Sequence, residues 1–177
     1  MKEMLTQYAT YNIWAYNELL KLILNLSEEQ QQQEITSSFP SLYKTILHLW
    51  NAKSIWWQRL KLQEHIVNQS LNNVSIQEAA KAIEQLDLQW ADWISNANEP
   101  QLQHVFAYQN SKREQFKQPI WQMLLHLFNH STYHRGQLVT MLRQLAIEKI
   151  PPTDFIYWCR KKIKNIIQPR GKSNFYQ

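Results

Sequence analysis

"LLHLFNHSTYHRGQL", residues 124–138, sets three histidines, His126, His130 and His134, at four-residue steps inside an otherwise apolar pattern. Through it runs a stripe of Ile120, Met123, Leu127, His130, His134, Leu138, Met141 and Leu145, with the three- and four-residue spacing of one face of an α-helix. Two imidazoles therefore stand on the face turned toward a core, where a polar ring is costly unless it has a partner. A helix rises about 1.5 Å per residue, so His130 and His134 can converge on one ion at about 2.0 to 2.1 Å, whereas His126 lies roughly 12 Å from His134 along the axis. A third ligand must come from another helix.

His48 is the candidate, being the only other histidine well inside a predicted core helix. It lies on a stripe with Thr45, Ala52 and Ile55, whose smaller members leave room for an ion and a ligand. Three neutral imidazoles with one vacant position describe an open, catalytic type of site, since closed structural sites usually take four protein ligands. Imidazole suits zinc, nickel, iron or copper; a divalent ion is expected, zinc or nickel first and iron next. His126 reads as a core-edge histidine bonded to backbone or as a group behind the ligands. Asn129 and Tyr133 are placed to hydrogen-bond an imidazole or line the pocket, as groups that orient ligands do. Arg135 and Gln137 point away from His134 by helical geometry, toward helix packing or dimer contacts. His65 and His104 read as surface residues and Cys159 as packing. No acid accompanies the paired histidines as in HExxH, which argues against peptide hydrolysis.

The rest of the chain supplies the helices such a site needs. Met4, Tyr8, Tyr11, Ala15, Leu19, Leu22 and Leu26 mark a first amphipathic helix, and Ser27 opens a short helical turn before a glutamine-rich connection to Pro40. A second helix is expected over about 41–62, with Leu42, Ile46, Leu49, Trp56 and Leu60 on its main apolar face. After the polar gap 68–73, Ser75 and Glu78 form a capping box for a third helix through Ile76, Ala80, Ile83, Leu86, Trp90 and Ile94. Pro100 closes that region, a small β-hairpin turns at Asn110 and Ser111, and Pro119 starts the fourth helix, which Pro151 and Pro152 end. A peripheral helix is expected over 154–167. Four long helices without a strong strand signal indicate an all-α four-helix bundle over 1–168, with a short C-terminal helix, followed by a basic, disordered tail at 169–177.

Composition narrows the function. The 177 residues suffice for one domain, and eight Trp and eight Tyr can fill its core. The two glycines, Gly136 and Gly171, fall in no phosphate-cradling pattern. Six cations, Arg160, Lys161, Lys162, Lys164, Arg170 and Lys172, sit in 160–172 without an acid, so the net charge of +5 becomes −1 for the rest of the chain. A nucleic-acid partner is accordingly not expected. Apolar runs stop well short of the roughly 20 residues that span a bilayer, so no membrane partner is expected either. A lone cysteine and the lack of a signal-peptide pattern predict a cytoplasmic setting.

The string Asn129-His130-Ser131-Thr132-Tyr133-His134-Arg135-Gly136-Gln137 resembles the DinB family of damage-inducible proteins, within the DinB/YfiT-like superfamily of metalloproteins. "TILHLWNAKSIWW" resembles the family's second-helix motif around its first metal-binding histidine, "MLRQL" follows the paired histidines as in the family, and "TDFIYW" resembles its closing helix. The resemblance spans roughly residues 1–160. It implies an up-down-down-up four-helix bundle, often a homodimer, with a divalent metal on His48, His130 and His134. Where the family has glycine after the "LRQL" segment this chain has Ala146, which removes an easy left-handed helix cap. Family members of assigned activity are mostly S-transferases using low-molecular-weight thiols such as bacillithiol or mycothiol. The resemblance thus implies thiol transfer to a small electrophilic molecule. Its competitors are a metal-dependent hydrolase, in which water takes the vacant position, and a non-catalytic metal-binding stress protein.

Overall fold

The computed structural model describes residues 1–63, 65–68, 74–110 and 112–167, the last six by backbone alone. The expected disordered tail at 169–177, most of the polar gap, and Ser111 of the hairpin turn lie outside the described residues. Four long helices make the bundle: α1 (Lys2–Leu24), α3 (Leu42–Leu60), α4 (Ile76–Asn96) and α6 (Ile120–Gln144). Short elements join or flank them: α2 (Glu28–Gln32), α5 (Glu99–Gln103), β1 (Val105–Gln109), β2 (Gln115–Pro119) and α7 (Phe155–Ile167).

Contacts along the helices fix their directions. Tyr43 meets Val74, Lys53 meets Asp87, and Trp57 meets Trp90, so α3 and α4 run parallel. Tyr8 packs on Phe128 and Asn12 on Arg135, so α1 and α6 are parallel too. Between the pairs the order reverses: Trp56 lies by His126, His48 by His130 and His134, and Thr45 by Met141. The bundle is therefore up-down-down-up, and the parallel α3–α4 step requires the long connection across residues 61–75.

Local sequence chemistry sets the helix ends. The Ser75 hydroxyl accepts from the Glu78 amide at 3.2 Å while the Glu78 carboxylate accepts from the Ser75 amide at 2.8 Å, and Ser27 with Gln30 does the same for α2. Pro100, which reads as closing its region, instead sits in the first turn of α5, capped by Asn98, because a missing N–H costs nothing there. The hairpin is antiparallel, with Val105 opposite Pro119 and Gln109 opposite Gln115. Its turn is held by the Asn110 carboxamide oxygen, which accepts from the amides of Lys112 and Glu114.

α3 ends at Leu60, two residues short of the expected end, and α6 at Gln144, just before Leu145 of its stripe, and both close in the same way. The Gln63 amide returns to the Gln58 carbonyl and the Leu62 amide to that of Arg59; Ile147 and Ala146 repeat this with Leu142 and Arg143. Both are Schellman closures, which demand a left-handed residue, and Leu62 at φ 52 and Ala146 at φ 58 supply it without being glycine. α6 thus stops at Gln144, before Pro151 is reached.

The core has two apolar storeys. One gathers Leu19, Ile23, Leu42, Ile46, Ile83 and Leu138; the other gathers Leu5, Trp90, Ile94, Leu102, Met123 and Leu127. Met4 is 53% exposed. The buried arc of α1 instead runs through Leu5, Ala9, Asn12, Tyr16, Leu19 and Ile23, because α1 packs on both α4 and α6. Between the storeys lies a polar layer of buried Asn12, Lys53, Asp87, Ser131, His134 and Arg135. Lys53 forms an ion pair with Asp87 and lies 4.3 Å from the centre of the Tyr16 ring. Burial pulls the Lys53 ammonium below its ordinary value, and the Asp87 carboxylate opposes that pull.

Two stability outcomes follow from these features. Ala146→Gly should stabilise the protein by about 1 kcal/mol, since a side chain in the left-handed region costs roughly that much; an unchanged denaturation midpoint would contradict the closure. Lys53→Met should cost about 3 to 5 kcal/mol by stranding a buried carboxylate, and adding Asp87→Leu should recover much of it. Chemical denaturation of the single and double variants measures both.

Candidate metal centre

At the level of the polar layer, α3 presents one imidazole to the two that α6 offers a turn apart. The Nε2 atoms of His48 and His130 are 3.1 Å apart, those of His48 and His134 3.1 Å, and those of His130 and His134 3.2 Å. Two nitrogens bound at about 2.0 to 2.1 Å to one tetrahedral ion are separated by about 3.3 Å, so the triangle has the size a shared ion requires. Among the described residues no carboxylate or thiolate joins the trio.

Their protonation suits a cation. Burial lowers the pKa of His48 to about 4 and that of His130 to about 3, with the neighbouring imidazoles adding to both shifts. Burial lowers His134 as well, against a smaller opposite effect of Gln137. The rings are thus neutral near pH 7, the state in which imidazole ligates. For His134 the tautomer is fixed by its surroundings. Its Nδ1 lies 2.7 Å from the Gln137 Oε1, an acceptor, so the proton sits on Nδ1 and Nε2 carries the free lone pair.

Gln137 is held in turn: its Nε2 donates to the Ser38 hydroxyl at 2.9 Å, and that hydroxyl lies 3.4 Å from the Tyr133 hydroxyl. Phe39 stacks on the His48 ring, centroids 3.9 Å apart at 17°. The connection between α2 and α3 therefore covers one side of the centre and fixes two of its three rings. An i+3 glutamine beside a histidine was the available signal for Gln137, which sequence geometry had turned away from the site. Ser38 and Phe39 lie in a segment without periodicity, and nothing in the sequence marked them.

The remaining candidates divide. Tyr133 sets its ring edge-on to His134 at 5.0 Å yet is 60% exposed, and its hydroxyl reaches Ser38, not an imidazole. Asn129 is exposed and bonds none of the three rings. His126 is also exposed, against Trp56 at 5.3 Å and His130 at 5.8 Å; the expected backbone hydrogen bond is not among those of the described residues. Arg135 is a helix-packing residue: it donates to Asn12, Tyr11 and Thr132. His65 and His104 are on the surface, and Cys159 packs beside Trp14 and Trp158.

An up-down-down-up bundle with three histidines at its middle level defines a class of helical proteins with a candidate metal-binding site. Residues 1–162 match the DinB family model, and the chain belongs to the DinB family. Protein DinB of Bacillus subtilis strain 168 is 28% identical over 154 residues, 82% of this chain and 87% of that protein. The crystal structure of a DinB-like protein from Bacillus cereus ATCC 10987 superposes with a TM-score of 0.64 at 20% identity, covering 85% of this chain and 95% of that one. YfiT from Bacillus subtilis, described as a probable metal-dependent hydrolase with an unusual four-helix bundle topology, superposes with a TM-score of 0.62 at 11% identity, covering 84% and 91%. At these identities the two structures establish the shared fold. No helix among the described residues is long and apolar enough to cross a membrane.

Gln137→Ala should weaken divalent-metal affinity by about 10- to 100-fold, the usual effect of removing a group that orients a ligand, with the helical circular dichroism unchanged. Competition titration against a chromophoric chelator reads the change, and an affinity equal to wild type would remove Gln137 from the centre.

Proposed function

We propose that the protein is a metal-dependent enzyme that transfers a low-molecular-weight thiol to a small electrophilic molecule. The observation that carries this reading is the meeting of three imidazole Nε2 atoms from two helices, 3.1 to 3.2 Å apart. His48, His130 and His134 would hold one divalent ion, with Gln137 and Phe39 fixing the rings. Such an ion lowers the pKa of a thiol or water in its open position and so supplies a nucleophile near neutral pH.

The choice of thiol over water rests on the lack, among the described residues, of a carboxylate beside the three imidazoles. A thiol ionises from about 8.5 and needs little help, whereas hydrolysis gains typically 10²- to 10⁴-fold from a positioned general base. The buried acid of the polar layer, Asp87, is committed to Lys53, and no carboxylate among the described residues joins the imidazoles. In the transfer, the thiol gives its proton to solvent, its sulfur bonds to the electrophilic carbon, and the leaving group departs with the electron pair of the broken bond. The second reading, a metal-dependent hydrolase, is favoured by the likeness of the fold to YfiT; on that reading the same three histidines serve water.

A conjugation assay with a small thiol and 1-chloro-2,4-dinitrobenzene separates the two. Metal-loaded protein should accelerate thiol consumption, and His48→Ala or His134→Ala should lower that rate by at least about 100-fold. Turnover of ester or amide substrates without thiol, lost in the same variants, would replace transfer by hydrolysis. Conjugation that survives both substitutions would overturn the proposal.

A further inference from the structure

A cleft that the metal centre does not use lies between the C-terminal end of α3 and the hairpin, with a volume of about 690 Å³. That is within the range of small-molecule sites. Part of its wall is apolar and wet: Leu62, Ile66 and Phe116 are 67%, 37% and 39% exposed, beside polar Gln63, Gln109 and Gln115. Leu62 is held there in the left-handed region, at φ 52, where side chains are disfavoured. Phe116 stacks on Tyr108, centroids 5.7 Å apart at 26°, and continues the apolar wall as an aromatic face.

The charged residues lining the cleft are Arg59 and Lys117, and no described lining residue is acidic. The Arg59 guanidinium lies 4.5 Å from the Trp56 ring and 5.1 Å from the Tyr108 ring. Its Nη2 donates to the Gln109 carbonyl at 2.8 Å, and its Nε is buried without a partner among the described residues. A cation braced by two rings keeps its orientation before any ligand arrives, with donor capacity left over.

Lys117 neighbours Phe116 on β2 and so projects from the opposite face of the hairpin. We propose that this cleft is a binding site for a small aromatic carboxylate, its acid group on Arg59 and its ring against Phe116 and Leu62. A neutral apolar ligand would cover the wall but desolvate the Arg59 guanidinium without pairing it, and inorganic phosphate would pair the cation but leave the wall in water. The aromatic acid satisfies both. The site is independent of the thiol-transfer reading, since none of the three histidines contributes to it.

Calorimetric titration of the full chain with 1-naphthoate, 1-naphthamide and inorganic phosphate tests this. The naphthoate should bind saturably with a Kd below about 1 mM, and the amide and phosphate at least about tenfold more weakly. Arg59→Gln should cost at least about tenfold and Phe116→Ala about threefold. Phe116 is exposed, so its variant should keep the wild-type melting temperature and decides the matter should the Arg59 variant fold poorly. Naphthoate affinity should be the same in His48→Ala. Equal affinity for acid and amide, equal affinity for phosphate, indifference to Phe116→Ala, dependence on His48, or no saturable binding would each overturn the proposal.

Discussion

The constraint on which the structure turns is that polar groups sit at mid-height in the bundle and must be partnered there. Lys53 and Asp87 are buried, as are Asn12, Ser131, His134 and Arg135. An unpaired charge in that environment is expensive, so each helix has to arrive in one register: α3 to bring Lys53 to Asp87 on α4, and α6 to bring Arg135 to Asn12 on α1. Those two parallel contacts, with the apolar storeys above and below, leave little freedom in how α3 meets α6 across the bundle. The meeting of His48 with His130 and His134 follows from that register. The polar layer thus costs desolvation and returns a single placement of three imidazoles.

The site is unequally supported around its edge. His134 has its tautomer set by Gln137, and Gln137 is anchored through Ser38 to the connection before α3. His48 is backed by the Phe39 ring from the same connection. His130 is backed by other imidazoles, His126 among them. A short irregular segment therefore braces two of the three rings. Ligand-orienting groups of this kind govern affinity and the acidity of what an ion binds, so that connection belongs to the chemistry as much as the helices do.

Much of this was legible in the sequence because the signals were periodic. The alternation of Leu127, His130, His134 and Leu138 places two imidazoles inward whatever the tertiary context, and Ser75 with Glu78 announces a helix start by local chemistry alone. The meeting of α3 and α6 could be inferred from His48 because few other histidines lay inside a helix, while their antiparallel order followed only from the family resemblance. What escaped depended on contacts between distant segments. Met4 fell off the buried arc because α1 serves two neighbours, which a single stripe does not reveal. Ser38 and Phe39 belong to a stretch whose shape is set by what it packs upon. Ala146 defied its own preference because the Schellman closure outweighs the cost of one strained residue. Lys53 and Asp87 were visible only as charges on inward positions, a pattern readable in hindsight from Asp87 lying between Ile83 and Trp90 on one helix face.

The central claim is that His48, His130 and His134 share one divalent ion. Elemental analysis of protein purified without a histidine tag, followed by X-ray absorption at the edge of the metal found, tests it directly. The account predicts one divalent ion per chain with three imidazole nitrogens at about 2.0 to 2.1 Å, and its loss in His130→Ala. Protein that folds but holds no metal after incubation with zinc or nickel, or a bound ion whose shell lacks three imidazoles, would contradict it.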